Sequence, residues 1–148
     1  MRLDIKNFFE NINNQLIEKV FDYYFRIDDD TTNNEALIDF REMVTLEGKV
    51  PQGAITSPTL SNIVFRQLDL RIYKYCKKFN ITYTRYADDL LFSSDSNYLH
   101  KDFFIKKLKY IISSMDFKLH ERKIRYDKDY ISLNGFVIED SIRVSRKN

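Results

Sequence analysis

Ile81-Thr82-Tyr83-Thr84-Arg85-Tyr86-Ala87-Asp88-Asp89-Leu90-Leu91-Phe92-Ser93-Ser94 places two runs of β-branched and aromatic residues on either side of an acidic pair. Such runs favour strands, and the polar residues between them mark a turn. The reading is a β-hairpin with Asp88 and Asp89 at its tip. Two adjacent carboxylates raise each other's pKa. A divalent cation relieves that repulsion: Mg²⁺ takes carboxylate oxygens in octahedral geometry and is often shared with substrate phosphates. Asp is also a common turn residue, so an isolated Asp-Asp pair would be read as a polar turn. The rest of the chain decides between the two.

Working outward, Arg2-Leu3-Asp4-Ile5 reads as a short strand that ends in a third carboxylate. If this strand lies beside the hairpin, Asp4 and Asp88 converge. Carboxylates from neighbouring strands can hold two Mg²⁺ ions about 3.5–4 Å apart, as in phosphoryl-transfer enzymes. Strand alternation sends Asp88 and Asp89 different ways, which makes Asp88 the principal ligand and Asp89 a weaker contributor.

The chain has 148 residues, 43% hydrophobic and 31% charged, which is the composition of one soluble globular domain with a sizeable core. No apolar run approaches the length of a membrane span. Met1-Arg2 is followed at once by Asp4 and Lys6, which is not the pattern of a secretory leader. A single cysteine, Cys76, rules out an internal disulfide and suits a reducing cytoplasm. With only His100 and His120 beside it, a zinc site is disfavoured. The net charge is +2, but basic residues cluster at Lys74, Lys77 and Lys78, at Arg122, Lys123 and Arg125, and at Arg143, Arg146 and Lys147. These clusters suit a phosphate backbone and equally suit solvated edges.

Three Gly and two Pro occur in all, and Gly48, Pro51, Gly53 and Pro58 are four of the five, which marks one special loop. Ser57-Pro58 then starts a long helix, with Ser57 as N-cap and Pro58 at its first position. Leu60, Val64, Leu68, Ile72 and Tyr75 give that helix its buried face. Ile12, Leu16, Val20 and Tyr24 predict an earlier helix, with capping candidates between Asn7 and Asn14. The Asp28-Asp29-Asp30 run reads as a loop before a second helix through Ala36, Leu37, Phe40 and Met43. Another helix runs from about Leu99 to Met115. Short strands are expected at Lys118–His120, Ile124–Tyr126, Tyr130–Ile138 and Ile142–Val144, with a turn at Glu139-Asp140-Ser141. Strands joined by tight turns and interleaved with helices imply an α+β fold: an antiparallel sheet covered on one face by helices.

At this point the chain resembles a known family. Asp4-Ile5-Lys6-Asn7-Phe8-Phe9, then Val50-Pro51-Gln52-Gly53-Ala54-Ile55-Thr56-Ser57-Pro58-Thr59-Leu60-Ser61-Asn62, then Arg85-Tyr86-Ala87-Asp88-Asp89, resemble the successive palm motifs of reverse transcriptases. Phe117-Lys118-Leu119-His120-Glu121-Arg122-Lys123 is similar to the next motif, and Leu133-Asn134-Gly135-Phe136-Val137 to the primer-grip hairpin. The bacterial retron and group II intron branch is the nearest in form. Two features depart from its retron members: Leu133-Asn134-Gly135 stands where they carry Val-Thr-Gly, and an Asn-Ala-x-x-His element is absent.

The resemblance implies a polymerase palm of the ferredoxin-like or RRM-like kind, occupying residues 1–148 as one domain, with fingers and thumb regions lying outside it. It implies RNA-directed DNA synthesis from deoxynucleoside triphosphates, on an RNA template, from a DNA or RNA primer. Asp4, Asp88 and Asp89 would hold two Mg²⁺ ions, replaceable by Mn²⁺, with the Ile5 carbonyl as a further ligand. Phe9 would exclude a 2′-hydroxyl from the sugar site; on its own it would be read as a core Phe. Gln52 and Gly53 would line the nucleotide pocket, and Lys123 would approach the leaving pyrophosphate unless it is only a solvated lysine. Leu133, Asn134, Gly135 and Phe136 would form the primer grip.

A palm without its neighbouring regions is expected to self-associate and to polymerise weakly or not at all, because positioning both substrates supplies much of the rate. Two other readings stay open. One is a related phage-defence polymerase making RNA or untemplated product, against which Phe9 argues. The other is a non-catalytic nucleic-acid-binding domain stacking bases on Tyr83, Tyr86 and Phe92, which leaves the three carboxylates without a purpose.

Overall fold

The computed structural model describes residues 1–25, 31–126, 131–133, 136–138 and 141–144. The predicted hairpin forms from β2 (Thr82–Tyr86) and β3 (Asp89–Ser93), and β1 (Arg2–Asp4) adds to the free side of β3. The sheet order is β1-β3-β2, antiparallel throughout. Leu3 pairs with Leu90 and Leu90 with Arg85, so these residues share one face. Asp4 pairs with Asp89, on the other face.

Helices α3 (Ser57–Lys77) and α4 (Asp102–Ser113) cover the Leu3 face, and α1 (Asn14–Phe25) packs on α3. Leu3, Leu90 and Phe92 meet Val64, Phe65, Leu68 and Ile72 of α3 and Phe104, Leu108 and Ile112 of α4 in one core. Helix α2 (Thr31–Val44) joins its edge through the Phe21–Phe40 ring contact at 5.0 Å. The spacing of apolar residues accounts for these helices; their burial, not propensity, supplies most of their stability. Cys76 packs in the same core, where burial pushes its thiol up to about 12. It behaves there as a small hydrophobe. Among the described residues no helix is long and apolar enough to cross a membrane.

Three local expectations change. The N-cap of α3 is Thr56, not Ser57. The buried Ser57 hydroxyl instead donates to the Pro51 carbonyl at 2.6 Å, which closes the loop before the helix. At α1 the cap is as read: Asn13 Oδ1 accepts from the Leu16 amide at 2.9 Å. The strands expected at Lys118–His120 and Ile124–Tyr126 reduce to single bridges, Ile5 with Leu119 and Arg2 with Arg125, along the outer edge of β1. The long strand expected at Tyr130–Ile138 is two: β4 (Ile131–Leu133) and β5 (Phe136–Ile138) pair with each other, and β5 pairs with β6 (Ile142–Val144) in a separate sheet. The Asp28–Asp30 run and the first two residues of the Glu139-Asp140-Ser141 turn lie outside the described residues.

Phe65 sits at the centre of the core and is fully buried. Phe65→Ala is expected to cost about 3–5 kcal/mol in urea unfolding. Asn13→Ala, which removes only the cap of α1, should cost about 1 kcal/mol.

Candidate active site

The β2–β3 hairpin turns through Ala87 and Asp88 rather than through the acidic pair: Asp89, expected at the tip, is the first residue of β3 and pairs with Tyr86 and Asp4. Ala87 has φ +51°, a left-handed conformation at a turn position that usually takes Gly, Asn or Asp. For an L-residue this costs roughly 1 kcal/mol or more. The strained turn points the Asp88 carboxylate into a cleft of about 480 Å³. Asp4 and Ile5 at the end of β1 form its floor with Asp88, and the Ile5 amide donates to the Asp88 carbonyl at 2.9 Å.

The chain leaves β1 through Asn7, also left-handed at φ +50°, a conformation Asn tolerates. That turn sends Phe8 into the core and leaves Phe9, half-buried, on the cleft wall. The opposite wall is the special loop. Glu47 (φ +52°) and Gly48 (φ +73°) form a two-residue turn that pairs Leu46 with Lys49. Both turn residues have the positive φ of a type I′ turn. Val50 bonds back to the Ile12 carbonyl at 2.9 Å, and Pro51 and Gln52 follow along the rim. Asp4, Ile5, Phe9, Gln52, Asp88 and Lys123 thus line one cleft. Gly53 is beside it on the exposed loop at φ +93°, without lining it.

Asp89 stands differently. Both its oxygens accept from Arg2, Nε at 2.9 Å and a terminal nitrogen at 2.5 Å. Lys123, in the single helical turn Glu121–Lys123, donates to Asp4 Oδ2 at 3.1 Å. Each carboxylate of the Asp4–Asp89 cross-strand pair therefore has its own cation, which offsets the repulsion of like charges placed directly opposite. Asp88 has none within ion-pair distance among the described residues. Its pKa is raised, first by burial and then by Asp4 and Asp89, with Lys123 opposing.

The donors are all oxygen: two carboxylates and the Ile5 carbonyl, on which none of the described hydrogen bonds ends. This set fits Mg²⁺ or Mn²⁺ and not a soft-ligand metal. Among the described residues no three carboxylate, imidazole or thiol side chains form a ready cage. A magnesium site completed by substrate phosphates needs only one or two carboxylates.

Sequence reasoning missed Arg2, Lys49 and His120. Arg2 and Asp4 lie two residues apart on a strand, which puts them on one face, and that signal was available. His120 lines the cleft because its amide donates to the Asp4 carbonyl at 2.7 Å, a pairing no local pattern announces. Of the three aromatics considered for base stacking, Phe92 is fully buried and stacks on the part-buried Tyr83 at 5.1 Å, so only Tyr86 presents an exposed ring. Asn134 and Gly135 of the expected primer grip lie outside the described residues; Leu133 and Phe136 flank them as a cross-strand pair, with Phe136 exposed.

The sequence model described as reverse transcriptase (RNA-dependent DNA polymerase) matches residues 1–138. The chain belongs to the reverse transcriptase family. Among its relatives are the Retron Se72 reverse transcriptase of Salmonella heidelberg, 27% identical over 99% of this chain, and the Retron Ec83 reverse transcriptase of Escherichia coli, 36% identical over 64%. The Retron Ec73 reverse transcriptase of Escherichia coli is 31% identical over 84%. All three are retron enzymes, although this reverse transcriptase chain lacks the two retron elements noted above. The chain spans 39%, 32% and 42% of their respective lengths. Among solved structures, apo telomerase from Candida tropicalis superposes with a TM-score of 0.62 at 13% identity, over 97% of this chain and 35% of that one. The shared fold is the polymerase palm.

The raised pKa of Asp88 has a consequence for stability. A carboxyl whose folded pKa lies above its unfolded value stabilises the fold while protonated and loses that contribution as pH rises through the folded pKa. In metal-free buffer Asp88→Asn should therefore melt higher than wild type at pH 7, and the gain should vanish at pH below the ordinary carboxylate range.

Proposed function

We propose that the cleft is the nucleotidyl-transfer site of an RNA-directed DNA polymerase. The observation that carries this reading is the pairing of β1 with β3, which brings Asp4 and Asp88 to one cleft floor with a phenylalanine on one wall and the Gln52 loop on the other. The substrates would be a deoxynucleoside triphosphate and a primer 3′-hydroxyl paired to an RNA template. The primer oxygen would attack the α-phosphorus and pyrophosphate would leave.

Asp4, Asp88 and the Ile5 carbonyl would hold Mg²⁺, or Mn²⁺ in its place, with Asp89 behind them on Arg2. Two such ions, when bound, supply Lewis acidity for the attacking hydroxyl and charge neutralisation for the leaving phosphates. Lys123 lies against Asp4 on the cleft and would approach the leaving pyrophosphate as a cation or proton donor. Phe9 on the cleft wall would meet C2′ of the sugar and leave no room for a hydroxyl. Gln52 would bond the sugar or the template, with Gly53 giving close backbone approach. Phe136 and Leu133, with Asn134 and Gly135, would support the primer end.

The test is dTMP incorporation on an oligo(dT)-primed poly(rA) template by the complete polymerase that contains this chain. Asp4→Asn and Asp88→Asn should each lower incorporation by about 100-fold or more, as expected when a group that stabilises transition-state charge is removed. Phe9→Ala should admit ribonucleotides with little loss of dTMP incorporation. Full activity in both carboxylate variants would sink the reading.

A further inference from the structure

Arg85 is the side chain beside the acidic turn that the chemistry above does not use. Strand alternation sends it to the helix side of the sheet, opposite to Asp4 and Asp89. There its side chain is only 7% exposed. Its guanidinium lies 4.7 Å from the Phe65 ring centre and 5.9 Å from that of Phe8. Burying a cation under a core requires compensation, and α3 supplies it. Asp69 accepts from Nε at 2.9 and 3.1 Å and from one terminal nitrogen at 2.7 Å, while Asn62 accepts from that nitrogen at 3.0 Å. The Tyr83 hydroxyl donates to the same Asp69 at 2.6 Å. The other terminal nitrogen donates to the Ala87 carbonyl at 2.9 Å.

That last bond matters because of where it ends. Ala87 is the strained left-handed residue of the turn, and its carbonyl belongs to the peptide that leads into Asp88. A peptide plane fixed on one side of Asp88 limits the directions its side chain can take. The other side is fixed by the Ile5 amide bonded to the Asp88 carbonyl. We propose that Arg85 is a positioning residue: gripped by Asp69 and Asn62 of α3, it holds the Ala87 carbonyl and so aims Asp88 beside Asp4. The same helix begins at Ser57, which closes the Pro51–Gln52 rim of the cleft. One rigid element thereby sets both the acidic turn and the opposite wall. A planar fork is required, since a lysine ammonium reaching Asp69 has no second arm for Ala87.

This rests on the reading of the cleft as a metal-dependent transfer site, so the experiment separates the two. The first readout is the one-bond Cα–Hα coupling of Ala87 in the full chain, which falls at positive φ and reports the turn without any metal. The second is Mn²⁺ affinity by electron paramagnetic resonance. Arg85→Lys should move the Ala87 coupling toward its value at negative φ and weaken Mn²⁺ binding by about tenfold or more, the effect seen when the partner that orients a metal ligand is lost. Asp69→Asn, which keeps one acceptor for Arg85, should shift both readouts the same way by less; it serves if Arg85→Lys fails to fold. An unchanged coupling in the folded variants would overturn the proposal. So would an altered coupling with Mn²⁺ affinity intact, because the turn would then have moved without moving the ligand. Absence of Mn²⁺ binding in the wild-type chain would count against the transfer reading, and the coupling alone would then decide whether Arg85 holds the turn.

Discussion

The antiparallel pairing of β1 with β3 is the constraint on which the rest depends. It buries Leu3 against Leu90 on one face, and by the same register it sets Asp4 opposite Asp89 on the other. The hydrophobic gain and the electrostatic cost are two sides of one ladder: shifting the register by one residue to separate the carboxylates would turn the apolar side chains out of the core. The fold keeps the register and neutralises the charges, with Arg2 on Asp89 and Lys123 on Asp4. Asp88, at the turn, is outside this ladder. It is the carboxylate left with a raised pKa, and so the one a divalent cation would stabilise most.

The three acidic residues thereby take different roles by geometry alone. Asp89 is spoken for by a bidentate arginine and behaves as part of the sheet. Asp4 is held by a lysine that is itself half-exposed, a contact worth little in water. Asp88 waits on a strained turn. Strain at a residue adjoining a cleft, maintained by an over-determined network, is the pattern of a functional site. Here the network runs through Arg85 into the core and the α3 helix.

Helix α3 links the two halves of the cleft. Its first residue closes the Gln52 loop and its middle anchors the acidic turn, while its apolar stripe fills the core. Mutations along its buried face would be felt at the site through packing, since close-packed interiors transmit displacement. This explains how a site with two loop walls can rest on a sheet of three short strands.

Much of this was legible in the sequence. Hydrophobic periodicity marked the four α-helices of the described residues, and β-branched runs marked the hairpin, because both signals are local. The carboxylates were legible as a candidate site only in the company of Asp4 and the neighbouring motifs, because an isolated Asp-Asp pair reads as a polar turn. What local patterns could not carry was partnership. Ser57 reads as a helix cap by type and position, yet its hydroxyl goes to Pro51 because the loop returns there. Lys118–His120 reads as a strand, yet only one of its residues forms a bridge, at the edge of β1. In the sequence Arg85 is only part of the strand before the acidic pair, yet its side chain is buried against aromatic rings because Asp69, sixteen residues earlier, comes to meet it. By itself the sequence marked the candidate residues and determined which segments would be helix or hairpin, since those follow from residue type and spacing. Only the tertiary structure decided which carboxylates are paired with a cation and which is not, because that depends on strand register and on side chains far apart along the chain.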